Sequence, residues 1–235
     1  MATQIQLGSI QVDVVQKNIK NVHLSVYPPE GKVRISAPLR MDIDTIRVFA
    51  LTKLSWIKKQ QKKLQQQARD TPREYLNRES HYLWGKRYLL ELIEKNAVPA
   101  VELHHNKILL QVRPSATEEK KQAVIDAWYR EQLKQAIPAL IKKWEPLMSV
   151  KVEKFFVRKM KTKWGSCRPA TRVIRLNTDL VRKPPEYLEY VVVHEMVHLL
   201  EASHNARFIT LMDRFMPKWR LFKDELNGLP LKHET

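Results

Sequence analysis

The sequence contains a single cysteine, Cys167, in 235 residues, so it has no framework of intramolecular disulfides. No apolar run is long enough to span a membrane. The N-terminal residues alternate as a strand does and lack the charged-then-apolar pattern of a secretory signal. These absences lead us to expect a cytoplasmic protein without a membrane partner. A chain of this length can bury a sizeable core in one or two domains.

Acidic residues are scarce relative to basic ones. Lysine and arginine total 42 against 25 aspartates and glutamates, which gives a net charge of +17. The excess is concentrated between Lys151 and Arg175, where Glu153 is the one acidic residue. The basic residues of this stretch are Lys151, Lys154, Arg158, Lys159, Lys161, Lys163, Arg168, Arg172 and Arg175. Such a concentration attracts polyanions, so we predict a polyanion-binding face with nucleic acid as its candidate partner.

The patterning indicates an α+β protein. Residues 5–38 and 81–112 contain several segments with period-two alternation, and a helix-like segment lies between them. A long helix is predicted from Glu118 to about Trp144. We therefore predict a β-rich N-terminal region with one helix over residues 1–114 and a second domain over residues 115–235, although one continuous domain also fits. No internal sequence repeat is visible.

In the second region, residues 152–158 and 173–177 are strand-like and flank the segment Lys163–Pro169. They predict a small, mostly antiparallel sheet. An apolar helix follows, starting near Pro184 and Pro185, where proline is tolerated.

The sequence VVVHEMVHLLEASHNARF, residues 191–208, carries the main chemical signal. His194 and His198 are four residues apart and lie on one face of a helix, so they can share one cation. Glu195 projects at a neighbouring angle and can reach a water bound to that cation. His204 follows a predicted turn and is the candidate third ligand. Burying these groups unpaired in an apolar segment would be costly, and a metal offsets that cost.

Several segments together resemble the YgjP-like metallopeptidase family, which is similar to SprT-like and other zincin proteases. They are residues 158–167 (RKMKTKWGSC), 174–177 (IRLN) and 184–208, and residues 33–38 and 56–57 also fit, so the resemblance covers most of the chain. The resemblance implies a zincin-like domain with a HExxH helix and zinc-dependent peptide hydrolysis. It also draws attention to residues that would support the site: Trp164, Gly165, Ser166, Cys167 and Asn177.

The hydrolase hypothesis assigns one Zn²⁺ to His194, His198 and His204, with Glu195 as the general base and a protein or peptide as the substrate. Gly165 is expected to form a tight turn, and Trp164 to pack beside the site. The oxyanion donor and the oligomeric state stay unassigned.

Two alternatives stay open. Cys167 could replace His204 as the third ligand, as in deformylase-like zinc amidohydrolases. Alternatively, the zinc could be structural in a nucleic-acid-binding protein, although structural zinc sites usually have four protein ligands. A combination of the two functions, a protease recruited to nucleic acid through the basic stretch, is a further hypothesis, drawn from the charge and from analogy with SprT-like proteases.

Overall fold

A computed structural model describes residues 2–27, 31–66 and 78–228. The chain divides into two compact units, one of residues 1–70 with 229–235 and one of residues 71–228. This division falls at residue 70, whereas the sequence placed a boundary at residue 114. Residues 78–114 group with the second unit because their strands contact the long helix and the segment that precedes the helix carrying His194.

The first unit contains a four-stranded sheet and two helices in its described residues. The strands are β1 (Ala2–Leu7), β2 (Ile10–Lys17), β3 (His23–Tyr27) and β4 (Lys32–Pro38), in the order β1-β2-β4-β3. Alternating residues of β2 and β4 point into the core, where Val12, Val14, Val33 and Ile35 are almost fully buried.

The sequence predicted one helix after this sheet, and the structure has two. They are α1 (Ile43–Thr52), which Asp42 caps by accepting a hydrogen bond from the Thr45 N–H, and α2 (Leu54–Gln66). Lys53 separates them and has φ −102° and ψ 5°, outside the helical range. Ile46, Ala50 and Ile57 from both helices bury against the sheet core.

The second unit begins with another four-stranded sheet. Its strands are β5 (Ser80–Leu83), β6 (Lys86–Glu94), β7 (Ala100–His104) and β8 (Lys107–Val112), in the order β5-β6-β8-β7. Trp84 and Gly85 both have positive φ, 51° and 77°, in the tight turn between β5 and β6. The Trp84 N–H donates to the carbonyl of Val181, 2.7 Å away, so this turn supports the segment before the helix that carries His194.

The two four-stranded sheets share one topology. In each, the outer pairs are antiparallel and the central pair, β2 with β4 or β6 with β8, is parallel. Helical segments follow each sheet along the chain. The two sheets therefore repeat a topology, although the sequence shows no internal repeat.

Helix α3 (Glu118–Met148) covers the predicted long helix and continues four residues past Trp144. Its buried residues recur every three or four positions and form one stripe: Ile125, Tyr129, Leu133, Ile137, Ile141, Trp144 and Met148. The Trp144 indole N–H and the Lys143 ammonium both donate to Oε1 of Glu189, at 2.9 and 2.6 Å. These bonds tie α3 to the helix that carries His194.

The third sheet consists of β9 (Lys154–Arg158), β10 (Gly165–Arg168) and β11 (Val173–Asn177), in the order β10-β11-β9. The prediction of a mostly antiparallel sheet is wrong here, because β11 is antiparallel to β10 but parallel to β9. The reason is that β11 inserts between the two preceding strands. A 3-10 helix, Thr178–Arg182, leads from β11 to α4 (Pro185–Val197), α5 (Ala206–Phe215) and α6 (Trp219–Gly228).

None of the helices in the described ranges combines the length and the apolar character that crossing a bilayer requires. Helix α6 has no counterpart among the elements predicted from the sequence, although Trp219, Phe222 and Leu226 have helical spacing.

Candidate metal centre

Helix α4 supplies His194 and Glu195. It begins with Pro185 at its first position, where a proline costs no hydrogen bond, and it is apolar on most sides because α3, α5, α6, β10 and β11 all contact it. The helix ends at Val197, and His198 is its C-cap, still with helical φ and ψ of −63° and −17°. The four-residue spacing therefore places His198 one turn beyond His194 on the same face.

A hydrogen-bonded turn brings His204 back to this face. Oε1 of Glu201 accepts from the Ser203 N–H at 3.2 Å and from its hydroxyl at 3.0 Å. Asn205 then caps α5 by accepting from the Phe208 N–H at 3.0 Å. His204 lies between the Glu201–Ser203 hydrogen bonds on one side and the Asn205 cap of α5 on the other.

The donor atoms of the three imidazoles, one from each histidine, all lie within 4.8 Å of one another. Nε2 of His194 and Nε2 of His204 are 3.1 Å apart. Nδ1 of His198 lies 3.1 Å from the Glu201 carbonyl oxygen. Since a carbonyl only accepts, this contact places the His198 proton on Nδ1 and leaves Nε2 as a free lone pair.

Phe208 packs against all three histidines and is a site residue that the sequence did not reveal. Its ring centroid lies 5.0, 4.8 and 4.6 Å from those of His194, His198 and His204. The side chain is 1% exposed. Its ring packs against the three imidazoles and restricts their orientation. Sequence spacing alone could not distinguish this role from that of an ordinary core residue of α5.

Burial lowers the pKa of all three histidines. The effect is largest at His194, whose pKa falls to about 3 from burial first and from the charges of His198, His204 and Lys223 next. For His198 and His204 burial is again the first cause of a lowered pKa. Neutral imidazoles are the form that binds a metal, so the donor set fits a divalent cation.

Glu195 is 4% exposed, and its Oε2 has no hydrogen-bond partner in the described part of the chain. Burial raises the pKa of Glu195 to about 8, and the charge of Lys163 acts in the opposite direction. A carboxyl oxygen left unpaired in a buried position is costly unless a water or an ion satisfies it.

Gly165 lies directly against Glu195. A Cβ atom built on Gly165 would lie 2.6 Å from Oε1 of Glu195 and 2.9 Å from its Cγ. The expected tight turn at Gly165 is wrong, because this residue is the first of strand β10. Glycine is needed here for close approach.

Cys167 also lies in β10 and lines the same cavity. Burial raises the pKa of its thiol to about 12, with the charge of Glu195 as the second cause. A thiolate is the ligand form of cysteine, and without a cation this environment favours the neutral thiol. Within the described residues, the cluster with metal-binding geometry comprises the three histidines alone.

Asn177, at the end of β11, holds the segment that leads into β10. Its side-chain amide donates to the carbonyls of Met160 and Lys163, both at 2.8 Å, while its Oδ1 accepts from the Asp179 N–H at 3.1 Å. The Asn177 N–H also donates to the Trp164 carbonyl at 2.9 Å. Asn177 thereby positions Trp164, which lines the cavity with Ser166.

The cavity beside the three histidines has a volume of about 450 Å³. Strand β10, helix α4 and the His204 turn form much of its lining, together with Lys163, Lys223 and Leu226. Lys223 and Leu226 come from α6, so the helix missed in the sequence contributes to the site.

The nine basic residues lie on several different elements. Lys154, Arg158, Arg168 and Arg175 lie on strands of the third sheet, Arg172 lies at the turn before β11, and Lys163 lines the cavity. Lys159 lies near Asp126 and Asp179, and desolvation lowers its pKa. Lys151 and Lys161 are exposed outside the strands.

Three neutral imidazoles beside a buried carboxyl, in an open cavity, are an arrangement typical of metal-dependent hydrolases. The metallopeptidase domain that defines the YgjP-like family matches residues 20–229 of the chain. The chain therefore belongs to the YgjP-like metallopeptidase family, as the sequence motifs had suggested.

Two solved structures of metallopeptidase zymogens are similar to part of the chain. Abylysin of Pyrococcus abyssi is 16% identical with a TM-score of 0.36, over 38% of this chain and 90% of that one. Jannalysin of Methanocaldococcus jannaschii is 20% identical with a TM-score of 0.34, over 38% of this chain and 92% of that one. No curated protein matches. The family assignment rests on the match over residues 20–229.

Proposed function

We propose that this metallopeptidase holds one Zn²⁺ through His194, His198 and His204 and hydrolyses peptide bonds with Glu195 as the general base. The observation that carries the proposal is the convergence of three imidazoles within 4.8 Å beside the buried, unpartnered oxygen of Glu195. Three protein ligands leave one tetrahedral position open, as catalytic zinc sites require.

The donor set favours zinc over the common hard cations. Ca²⁺ and Mg²⁺ prefer oxygen ligands, whereas imidazole nitrogens suit Zn²⁺ and other borderline metals. Glu195 is the acid that lines the cavity. Its carboxyl is better placed to handle a proton than to complete an oxygen cage.

A bound zinc ion would lower the pKa of a water molecule and polarise the scissile carbonyl. Glu195 accepts the proton of the attacking water and passes it to the leaving amine, so that the products are a carboxylate and an amine. Glu195 must be in its carboxylate form to accept this proton; burial raises its pKa, and the charge of Lys163 and of a bound cation would act in the opposite direction. Gly165 allows the carboxyl to lie against β10.

Lys163 and Lys223 place two positive charges at the cavity. The field of Lys163 lowers the pKa of Glu195, and that of Lys223 lowers the pKa of His194 and His204 after burial. Negative charge develops on the carbonyl oxygen during peptide hydrolysis, and cations fixed nearby stabilise it. We assign this role to the two lysines jointly.

Strand β10 gives the substrate a binding edge. It is paired with β11 on one side and with no other described strand on its second side, and its residues Gly165, Ser166 and Cys167 line the cavity. An extended peptide can add to such an edge through main-chain hydrogen bonds. The substrate is therefore an unfolded or extended segment of a protein or peptide.

The variant Glu195→Gln tests this proposal. It removes the proton acceptor while keeping the size of the side chain, so we expect turnover of a casein substrate to fall by a factor of at least about 100. The zinc content, measured by elemental analysis on the same samples, should remain at the wild-type level.

Glu186→Gln is the matched control, because Glu186 is exposed in the first turn of the same helix. It should leave both activity and zinc content unchanged. Wild-type turnover by the zinc-loaded Glu195→Gln protein would exclude Glu195 as the general base.

A further inference from the structure

The outward face of the third sheet carries a basic and aromatic surface. In a strand, alternate residues point to the same side, so Lys154, Phe156 and Arg158 share one face of β9. The register pairs Arg175 of β11 with Phe156 and with Ser166 of β10. These residues therefore lie side by side across the three strands.

The same register adds Arg168. It pairs with Val173, which pairs in turn with Lys154, so Arg168 belongs to this face as well. We call the set Lys154, Phe156, Arg158, Arg168 and Arg175 the basic sheet face. No acidic residue occurs in any of the three strands.

Burial distinguishes this face from the opposite one. Ile174 and Leu176, on the opposite side of β11, are fully buried, and α4 contacts both β10 and β11. On the basic sheet face, Lys154, Arg158 and Arg168 are exposed, and Arg175 is half-buried. Asn177, at the end of β11 on this side, is buried; the rest of the face is open to solvent, while the opposite face packs on the core.

Phe156 is the unusual member. It is a large apolar residue in the edge strand β9, and it is 39% exposed. The guanidinium carbon of Arg158 lies 5.6 Å from the centre of the Phe156 ring. An exposed ring beside Arg158 and Arg175 offers a flat surface for stacking together with charges for a backbone of phosphates.

We propose that the basic sheet face binds single-stranded nucleic acid, with a base stacked on Phe156 and phosphates held by Lys154, Arg158, Arg168 and Arg175. Stacking needs a base whose face is free, which a duplex does not offer to a ring on a flat sheet. The combination of an aromatic platform with a basic surface is what binding of single strands without sequence preference requires. An acidic polypeptide would use the charges and leave Phe156 without a function.

The location relates this surface to the metal centre. Strand β10 contributes Arg168 to the basic sheet face, while Gly165, Ser166 and Cys167 of the same strand line the catalytic cavity. A bound strand would lie beside the edge proposed for the peptide substrate. Proteins carried by that nucleic acid would then be presented to the cavity.

The binding is measured by fluorescence anisotropy with labelled oligouridine and oligothymidine on the full chain over a series of salt concentrations. Phe156→Ala should weaken binding by about 5- to 150-fold without changing the salt dependence, because it removes a stacked base and no charge. Phe156→Tyr should bind as wild type, because it keeps the ring.

A charge variant and a matched control complete the test. Lys154→Gln/Arg158→Gln/Arg168→Gln should reduce the slope of log affinity against log salt by about 2, from three lost phosphate contacts at a slope of about 0.7 each. Lys120→Gln/Arg130→Gln/Lys142→Gln removes the same charge from exposed positions of α3 and should change the slope far less. Unchanged zinc content and melting temperature exclude unfolding as the cause.

Three results would overturn the proposal: equal weakening by both triple variants, wild-type binding by Phe156→Ala, or equally tight binding of polyglutamate. The third would identify acidic polypeptides as the ligand. Because the readout is binding, its outcome is independent of whether Glu195 is the general base.

Discussion

Glu195 fills the space that a side chain at Gly165 would occupy. The contact joins α4 to β10 and holds the carboxyl between the helix and the strand that borders the cavity. Val191 Cγ1 would also lie 2.9 Å from a Cβ at Gly165, so two side chains of α4 approach β10 closely at this point. At the scale of single residues, the position of the Glu195 carboxyl depends on the absence of a side chain at Gly165.

Gly165→Ala should therefore impair turnover without removing the metal. The added methyl group displaces the Glu195 carboxyl, and a misplacement of about 1 Å in a catalytic group costs on the order of 100-fold in rate. We expect a loss of about that size in kcat/KM for a peptide substrate, with wild-type zinc content.

Gly8→Ala is the control for a general effect of replacing glycine. Gly8 has a φ of 61° and no atom near its virtual Cβ, so the variant is strained but touches no site residue. It should lose stability and keep its activity. If Gly165→Ala were as active as Gly8→Ala, the close packing of Glu195 on β10 would have no catalytic role.

Residue spacing was sufficient to bring together His194, His198 and His204, because a helix and one short turn fix their separation. It could not reveal Gly165 or Phe208 as neighbours of these groups. Their contacts arise from the packing of β10 and α5 on α4, which local sequence does not encode. The prediction of a turn at Gly165 was wrong for the same reason, because the packing of this glycine against Glu195 is not visible in the local sequence.

At the scale of elements, the end of β11 holds the segment before β10 through Asn177. This buried side chain satisfies the carbonyls of Met160 and Lys163 and the N–H of Asp179. The bonds connect the third sheet to both the cavity wall at Trp164 and the 3-10 helix before α4.

Asn177→Ala should destabilise the chain by about 2 to 3 kcal/mol, because it leaves buried carbonyls without donors. Urea unfolding monitored by tryptophan fluorescence measures this loss. Asn106→Ala is the control, since Asn106 is exposed in the β7–β8 turn and its bond to the Leu89 N–H uses the backbone carbonyl. Equal stability of the two variants would show that Asn177 does not anchor the segment.

Elements were predictable where one period persisted, as in α3, whose buried stripe runs from Ile125 to Met148. Element boundaries were less predictable where the conformation of a single residue sets them, as at Lys53, where the predicted helix is divided into α1 and α2. The parallel pairing of β9 with β11 depends on strand insertion, which no alternation pattern records. Strand register also decides which basic residues come together: it places those of β9, β10 and β11 on one side of the third sheet, while Lys151, Lys161 and Lys163 lie outside the strands.

At the scale of the whole molecule, the metal should stabilise one unit and not the other. The histidine cluster lies in the unit of residues 71–228, and the described residues of the first unit contain no comparable group. A ligand that binds only the folded state stabilises it by about 2.7 kcal/mol at a hundredfold excess over Kd. In this chain that stabilisation should appear around α4 and the His204 turn.

Hydrogen exchange on chelated and zinc-loaded protein measures this effect. We expect chelation to reduce protection in residues 190–208 and to leave residues 2–27 and 31–66 unchanged. Added Zn²⁺ should restore protection, and Mg²⁺ at the same concentration should not, because it prefers oxygen ligands. Loss of protection confined to the first unit would place the metal elsewhere.

The central claim, that three histidines hold one catalytic zinc, is tested most directly by zinc stoichiometry. Elemental analysis and competition with a chelator should give one zinc per wild-type chain and an affinity at least about 100-fold lower in His204→Ala, since loss of supporting partners alone costs 10- to 100-fold. Cys167→Ser and His105→Ala, the latter in the exposed β7–β8 turn, should bind zinc as wild type does. Wild-type affinity in His204→Ala, with loss of zinc in Cys167→Ser, would contradict the account and assign the third ligand to Cys167.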